Sequence, residues 1–178
     1  IVTGQGRSYG LEFSIKKKEG IINGWISYTL ARTEHLIEEI SPEWYPATYD
    51  KTHDLSVLVN YDLTKRLSLS AAWIYYTGNA VTFPSGKYQY DGHYVSYYTE
   101  RNGYRMPDYH RLDINFHIEG KERKRWESSW DISAYNVYNR YNAYSIYFEE
   151  SSANPGTTEA VKLSLFGIIP SVSWNFEF

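Results

Sequence analysis

The sequence contains no cysteine and a single methionine. Without Cys there is no disulfide framework, no thiolate nucleophile and no Cys-based zinc site, an absence compatible with cytosol and periplasm alike. Positive charge is not in excess either, since 18 Lys and Arg stand against 21 Asp and Glu for a formal net charge of −3. The one dense basic run, residues 121–125, is short and turn-like, so no basic face exists on which counterion release could drive nucleic-acid binding. No apolar run reaches the roughly 18 residues that a membrane helix requires. A helical membrane protein is therefore excluded, and a membrane barrel is not. The chain starts on Ile1 with neither Met nor a leader-like segment, which reads as a mature chain or a piece of a longer one.

Aromatic side chains are what the sequence has in quantity. They make up 18% of the 178 residues, with 19 Tyr and 6 Trp, while the hydrophobic total is 42% and the mean hydropathy is −0.55. Amphipathic rings with few aliphatic partners suit surfaces that are apolar at one end and wet at the other.

Periodicity is two almost throughout. Tyr9, Leu11, Phe13 and Ile15 alternate with Ser8, Gly10, Glu12 and Ser14. Ile22, Ile26, Tyr28 and Leu30 oppose Asn23, Ser27 and Thr29, although Trp25 falls in the polar set. The same zigzag recurs in residues 53–63, 66–76, 110–120 and 126–138. It closes the chain, where Val172, Trp174, Phe176 and Phe178 face away from Ser171, Ser173, Asn175 and Glu177. Seven strands are expected, and almost no helix. The connections alternate in length: residues 16–20, 62–66 and 119–125 are short and charged, whereas residues 33–49, 78–105 and 138–158 are long and rich in Tyr, Glu, Ser, Pro and Gly. Short turns at one end and long loops at the other match an outer-membrane barrel. A soluble sandwich would also alternate, but its polar face would lean to Lys and Glu. Here that face is mostly Ser, Asn, Gly and Thr, which favours the membrane barrel.

Several segments carry a family resemblance: "GRSYGLEFSIKK", "GWISYTLART", "YPATYDKTHDLSVLVNY", "YRMPDYHRLDI", "NVYNRYN" and "IIPSVSWNFEF". In this order, over nearly all of residues 1–178, the chain resembles the C-terminal part of the barrel of TonB-dependent outer-membrane receptors, most closely the SusC-like branch of Bacteroidetes. The resemblance implies an all-β antiparallel transmembrane barrel segment, about seven strands of a 22-stranded barrel, with short periplasmic turns and long extracellular loops. It implies an energy-coupled importer of glycans or peptides in the outer membrane of a Gram-negative bacterium. Its implied partners are the rest of the barrel, an N-terminal plug, the inner-membrane TonB complex, outer-membrane lipid and a SusD-like surface lipoprotein. It makes Phe178 the aromatic assembly signal. Strand counting adds that seven strands cannot close with both termini in the periplasm, and bare edges in hydrocarbon cost several kcal/mol per unpaired peptide group.

Chemistry-bearing constellations are few. His35, His53, His93, His110 and His117 show no metal-ligand spacing. His53 beside Asp54 reads as the start of a strand, because neighbours in a strand point to opposite faces. No Gly-x-Ser-x-Gly elbow occurs, Gly78, Asn79 and Gly86 mark bends, and Asn102-Gly103 reads as a tight turn. Neither an enzyme, a cofactor nor a metal is expected. The ligand-binding candidates are loop aromatics whose rings stack on sugars or peptide side chains: Trp44, Tyr45, Tyr88, Tyr90, Tyr94, Tyr97 and Tyr98. Packing of the loops on one another, or an aromatic girdle, accounts for the same rings. The rival functions are a barrel protease or acyl hydrolase using His53 and Asp54, and a passive pore or adhesin.

Overall fold

The structure is a computed structural model that describes residues 3–121, 126–151, 153–154 and 157–178. Among these residues every regular element is a strand, and no helix exists that is long and apolar enough to cross a membrane. Seven long strands are β1 (Gln5–Lys17), β2 (Ile22–Leu36), β4 (His53–Thr64), β5 (Leu67–Tyr76), β10 (Tyr109–Glu119), β11 (Glu127–Tyr135) and β14 (Ile169–Glu177). The shorter ones are β3 (Tyr45–Pro46), β6 (Ala80–Val81), β7 (Gly86–Tyr90), β8 (His93–Tyr97), β9 (Tyr104–Arg105), β12 (Ser145–Glu150) and β13 (Thr158–Leu163).

One antiparallel sheet follows the path β1-β2-β4-β5-β10-β11-β14, with β3 beside β2. These seven long strands are the seven that the alternation predicts. Among the described residues the sheet is open, with β1 and β14 as its free edges. Two of the expected short turns are seen whole: residues 18–21, where Gly20 takes φ 103°, and residues 65–66. Of the third, residues 122–125 lie outside the described residues, and with them most of the basic run.

The chain divides into two compact units, Ile1–Glu12 with Thr29–Asp54 and Tyr76–Asp108, and Phe13–Tyr28 with Leu55–Tyr75 and Tyr109–Phe178. In the second unit the register shows how a period-two sequence sorts its side chains. Ile118, Trp130 and Trp174 form one cross-strand row, and Phe116, Ile132 and Val172 the next. On the opposite face the rows are His117, Asp131 and Ser173, then Asn115, Ser133 and Ser171. Pro170 sits opposite Ala134 near the start of β14. The aromatic ladder continues along β14: Trp174 stacks on Trp130 at 6.0 Å between centroids and meets Phe176 at 4.9 Å, which meets Phe178 at 5.4 Å.

The interior is unusual in kind. Among the described residues the buried apolar side chains are Tyr45, Ala47 and Ala80, while Glu34, Asp50, Asn102, Asn136 and Ser151 are buried and polar. Large apolar side chains stand exposed along the sheet instead, Leu11 at 67% and Val172 at 63%.

In the second unit Gly24 takes φ 150°, and a Cβ there would collide with the Leu58 carbonyl oxygen of the neighbouring strand. Gly24→Ala is expected to cost about 1–3 kcal/mol through backbone strain, lowering the urea midpoint without changing the slope. An unchanged midpoint would show that the close approach is not needed.

Candidate functional site

The connection between β5 and β10 is built as two nested hairpins. Its base is the ribbon β6–β9, where Ala80 faces Arg105 and Val81 faces Tyr104. Its tip is β7–β8, turned by Asp91 (φ 49°) and Gly92 (φ 78°). Two successive positive φ values in an Asp-Gly pair make the twisted two-residue turn that matches strand twist.

Strand alternation divides the candidate rings at this tip. Tyr88, Tyr90, His93, Val95 and Tyr97 share one face of the hairpin, because Tyr88 opposes Val95, Tyr90 opposes His93 and Gly86 opposes Tyr97. The Tyr88 and Tyr97 rings lie 6.5 Å apart and tilted at 41°. Gly86 makes room for them, since a Cβ there would meet the Tyr97 ring at 2.6 Å. Tyr94 belongs to the other face, where the Lys87 ammonium lies 4.6 Å from its ring centroid. Tyr98 follows β8 and is exposed, as are Tyr88, Tyr90, Tyr94 and Tyr97. Exposed rings with their hydroxyls stack on flat apolar faces while hydrogen-bonding at their edges, as sugars and aromatic peptides require.

The remaining two candidates lie elsewhere in the same unit. Trp44 carries the Arg7 guanidinium over its ring at 4.2 Å. Tyr45 is only 7% exposed; it pairs with His35 across β2 and β3 and meets that imidazole edge-on. It packs the segment after β2, leaving little of its ring for a ligand.

What holds the nested hairpins is a polar brace. Arg105 forms an ion pair with the Asp50 carboxylate and donates from Nη1 to the carbonyls of Asp50 at 2.8 Å and Gly78 at 3.1 Å. The Thr33 amide donates to Asp50 Oδ1 at 2.6 Å. Asn102, in the turn expected at Asn102-Gly103 and at φ 53°, donates from Nδ2 to the Pro46 carbonyl at 2.8 Å. Its amide donates to Thr82 Oγ1 at 3.0 Å. These contacts tie the segment after β2 to both legs of the hairpin. Sequence reasoning missed them because Asp50 and Arg105 are far apart in the chain.

The motif "NVYNRYN" forms a second brace in the other unit. Asn136 (φ 54°) and Asn139 (φ 55°) take left-handed backbone, which Asn tolerates better than most residues. Asn136 closes a loop on Arg140 at 2.9 and 3.1 Å, Asn139 accepts from the Ile168 amide at 2.8 Å, and Asn142 donates to the His110 carbonyl at 2.9 Å. His110 Nδ1 lies 2.7 Å from the Tyr138 hydroxyl, and burial pushes that phenol above its ordinary pKa.

The histidines have separate duties. The His53 amide donates to Thr77 Oγ1 at 3.0 Å and its carbonyl accepts from the Thr77 amide at 3.0 Å, so His53 begins β4 through its backbone. His117 Nδ1 lies 2.9 Å from Asp131 Oδ1, and Asn115 and Asn175 donate to the same carboxylate. That pairing crosses two strands and no local spacing announces it. Among the described residues no group of three or more His, Asp or Glu is placed to hold a metal ion. No family model, no curated protein and no solved structure matches the chain.

The brace makes the Tyr-rich hairpin depend on Asp50. Asp50→Ala leaves the Arg105 guanidinium, 30% exposed, with carbonyl partners only, at a cost of about 2 kcal/mol. Proteolytic cleavage within residues 82–103 is expected to rise roughly 30-fold, and cleavage at the wild-type rate would refute the brace.

Proposed function

We propose that the chain is the C-terminal barrel portion of an energy-coupled nutrient importer of the outer membrane, in the SusC-like class of TonB-dependent receptors. The observation that carries this reading is the sheet's uncovered apolar face. A Leu, Ile or Phe side chain left fully in water forfeits about 1.5–3 kcal/mol relative to burial, so about a dozen of them left roughly half-exposed on one sheet forfeit on the order of 10–20 kcal/mol. A domain's entire net stability is about 5–15 kcal/mol. Such a face needs an apolar covering, and a bilayer supplies one to a strand wall without a second protein layer.

The polar rows then face a watery lumen, and Asn115, His117 and Asn175 gather on the Asp131 carboxylate there. The free edges of β1 and β14 call for further strands, since only closure removes unpaired backbone from hydrocarbon. The long connections lie outside the cell, where the aromatic hairpin meets a glycan or peptide and hands it to the lumen. The plug, the TonB complex and a SusD-like lipoprotein are the partners this reading supplies, and Phe178 is its assembly signal.

Paired substitutions on the two faces test the wall. Ile132→Lys, on the apolar face, is expected to lose about 2–4 kcal/mol in a bilayer, while Ser173→Lys, on the polar face, is tolerated. Folding is read from the faster gel migration of the unheated protein. Uptake of labelled oligosaccharide or peptide into cells should stop when a protonophore removes the energy source. Equal tolerance of both lysines, in a protein that stays monomeric without detergent, would exclude the membrane reading.

A further inference from the structure

On two adjacent strands the apolar face ends in charge. Arg7, Tyr9 and Leu11 occupy alternate positions of β1, and Leu30, Arg32 and Glu34 those of β2. Ser8 and Thr33 meet through their hydroxyls at 3.0 Å on the opposite side, which fixes Arg7, Arg32 and Glu34 to the apolar side by strand alternation. Arg7 donates from Nε to Glu34 Oε2 at 2.8 Å, with Nη2 at 2.7 Å from the same oxygen. Arg32 donates from Nε to Oε1 at 3.0 Å.

The geometry is more than an ion pair. Glu34 is 6% exposed at its side chain, whereas Arg7 is 47% and Arg32 42% exposed. One buried carboxylate between two guanidiniums leaves a surplus positive charge. Arg32 uses Nε alone on Glu34, so its two Nη groups remain for another acceptor. Trp44 backs the Arg7 guanidinium, and Tyr9 and Leu11 beside them are exposed. A ligand that suits both features is an amphiphile with an anionic head. Phosphate fits the head, because guanidinium forks pair with its oxygens bidentately, and Trp favours the level at which hydrocarbon gives way to headgroups.

We infer that Arg7 and Arg32, splinted by Glu34 and Trp44, form a binding site for the phosphate headgroup of an anionic lipid whose chains lie along Tyr9, Leu11 and Leu30. The inference rests on the membrane reading of this face.

The test uses the full-length protein, exchanged into mixed micelles with equal phosphatidic acid and phosphatidylcholine, with retained lipid counted by native mass spectrometry. Wild-type protein is expected to retain phosphatidic acid over phosphatidylcholine by about tenfold, the size of one charge-assisted hydrogen bond. Arg7→Gln with Arg32→Gln should bring the two lipids near parity, Arg7→Lys with Arg32→Lys should keep part of the preference, and millimolar inorganic phosphate should not displace the lipid. Equal retention by the wild type, undiminished preference in the Gln variant, or displacement by free phosphate would each overturn the site. The wild-type comparison decides alone if the Gln variant does not fold. A heat-modifiable, detergent-requiring protein without preference removes this site only, whereas a protein that takes up no lipid and needs no detergent removes the membrane reading and this site with it.

Discussion

Everything else in the structure answers to one constraint: its main sheet has two faces and almost no hydrophobic interior behind either of them. Cross-strand hydrogen bonds satisfy the backbone and alternation sorts the side chains, but sorting alone stabilises little. In an ordinary domain the sorted apolar face is removed from water by a second layer. Here Tyr45, Ala47 and Ala80 are the buried apolar residues among those described, a core too small to offset the conformational entropy of ordering this many residues. The missing term has to come from whatever covers the apolar face.

The same constraint explains how the long connections are held. With only Tyr45, Ala47 and Ala80 buried and apolar among the described residues, the connections rely largely on hydrogen bonds around Asp50, Asn102 and Asn136, three of the buried polar residues. Burying such groups costs free energy unless each finds partners. Among the described residues no buried side-chain nitrogen or oxygen lacks one. Satisfied polar braces are directional, so they define one loop geometry where a smear of apolar contacts would allow several. They also bring Asp50 and Arg105, far apart in sequence, to the foot of the hairpin that presents Tyr88, Tyr90 and Tyr97.

The long strands were legible because a period of two repeated over nine or more residues leaves few alternatives, and the order of all seven follows. The short strands were not. β6 and β9 have two residues each, too few for any period, and Arg105 of β9 is held by Asp50, far away in the chain. The β7–β8 hairpin did carry a local signal, Asp91-Gly92, hidden within a stretch whose aromatic content suggested only a loop. Tyr45 was legible as a ring but not as a buried one, because His35, which meets it edge-on, lies on another strand. Likewise Arg7, Glu34 and Trp44 each look like ordinary surface residues until β1 and β2 pair and the chain turns back beyond Leu36.

On the proposed membrane reading, that last cluster is where two environments meet on one surface. Along β1 the alternate positions pass from Leu11 through Tyr9 to Arg7, from purely apolar, to apolar with a hydroxyl, to charged, within about two residue pairs of strand rise. A surface in bulk water has no reason to grade its polarity in one direction along a strand. An interface between hydrocarbon and headgroups does, and it also favours a Trp beside the first cation. Glu34 keeps this gradient from costing the fold: without its carboxylate, two guanidiniums side by side would repel each other and splay the strand pair that carries them. On the proposed membrane reading, the gradient, the aromatic partner and the buried counter-charge are three parts of one boundary, set where the wall would leave the lipid and the braced loops begin.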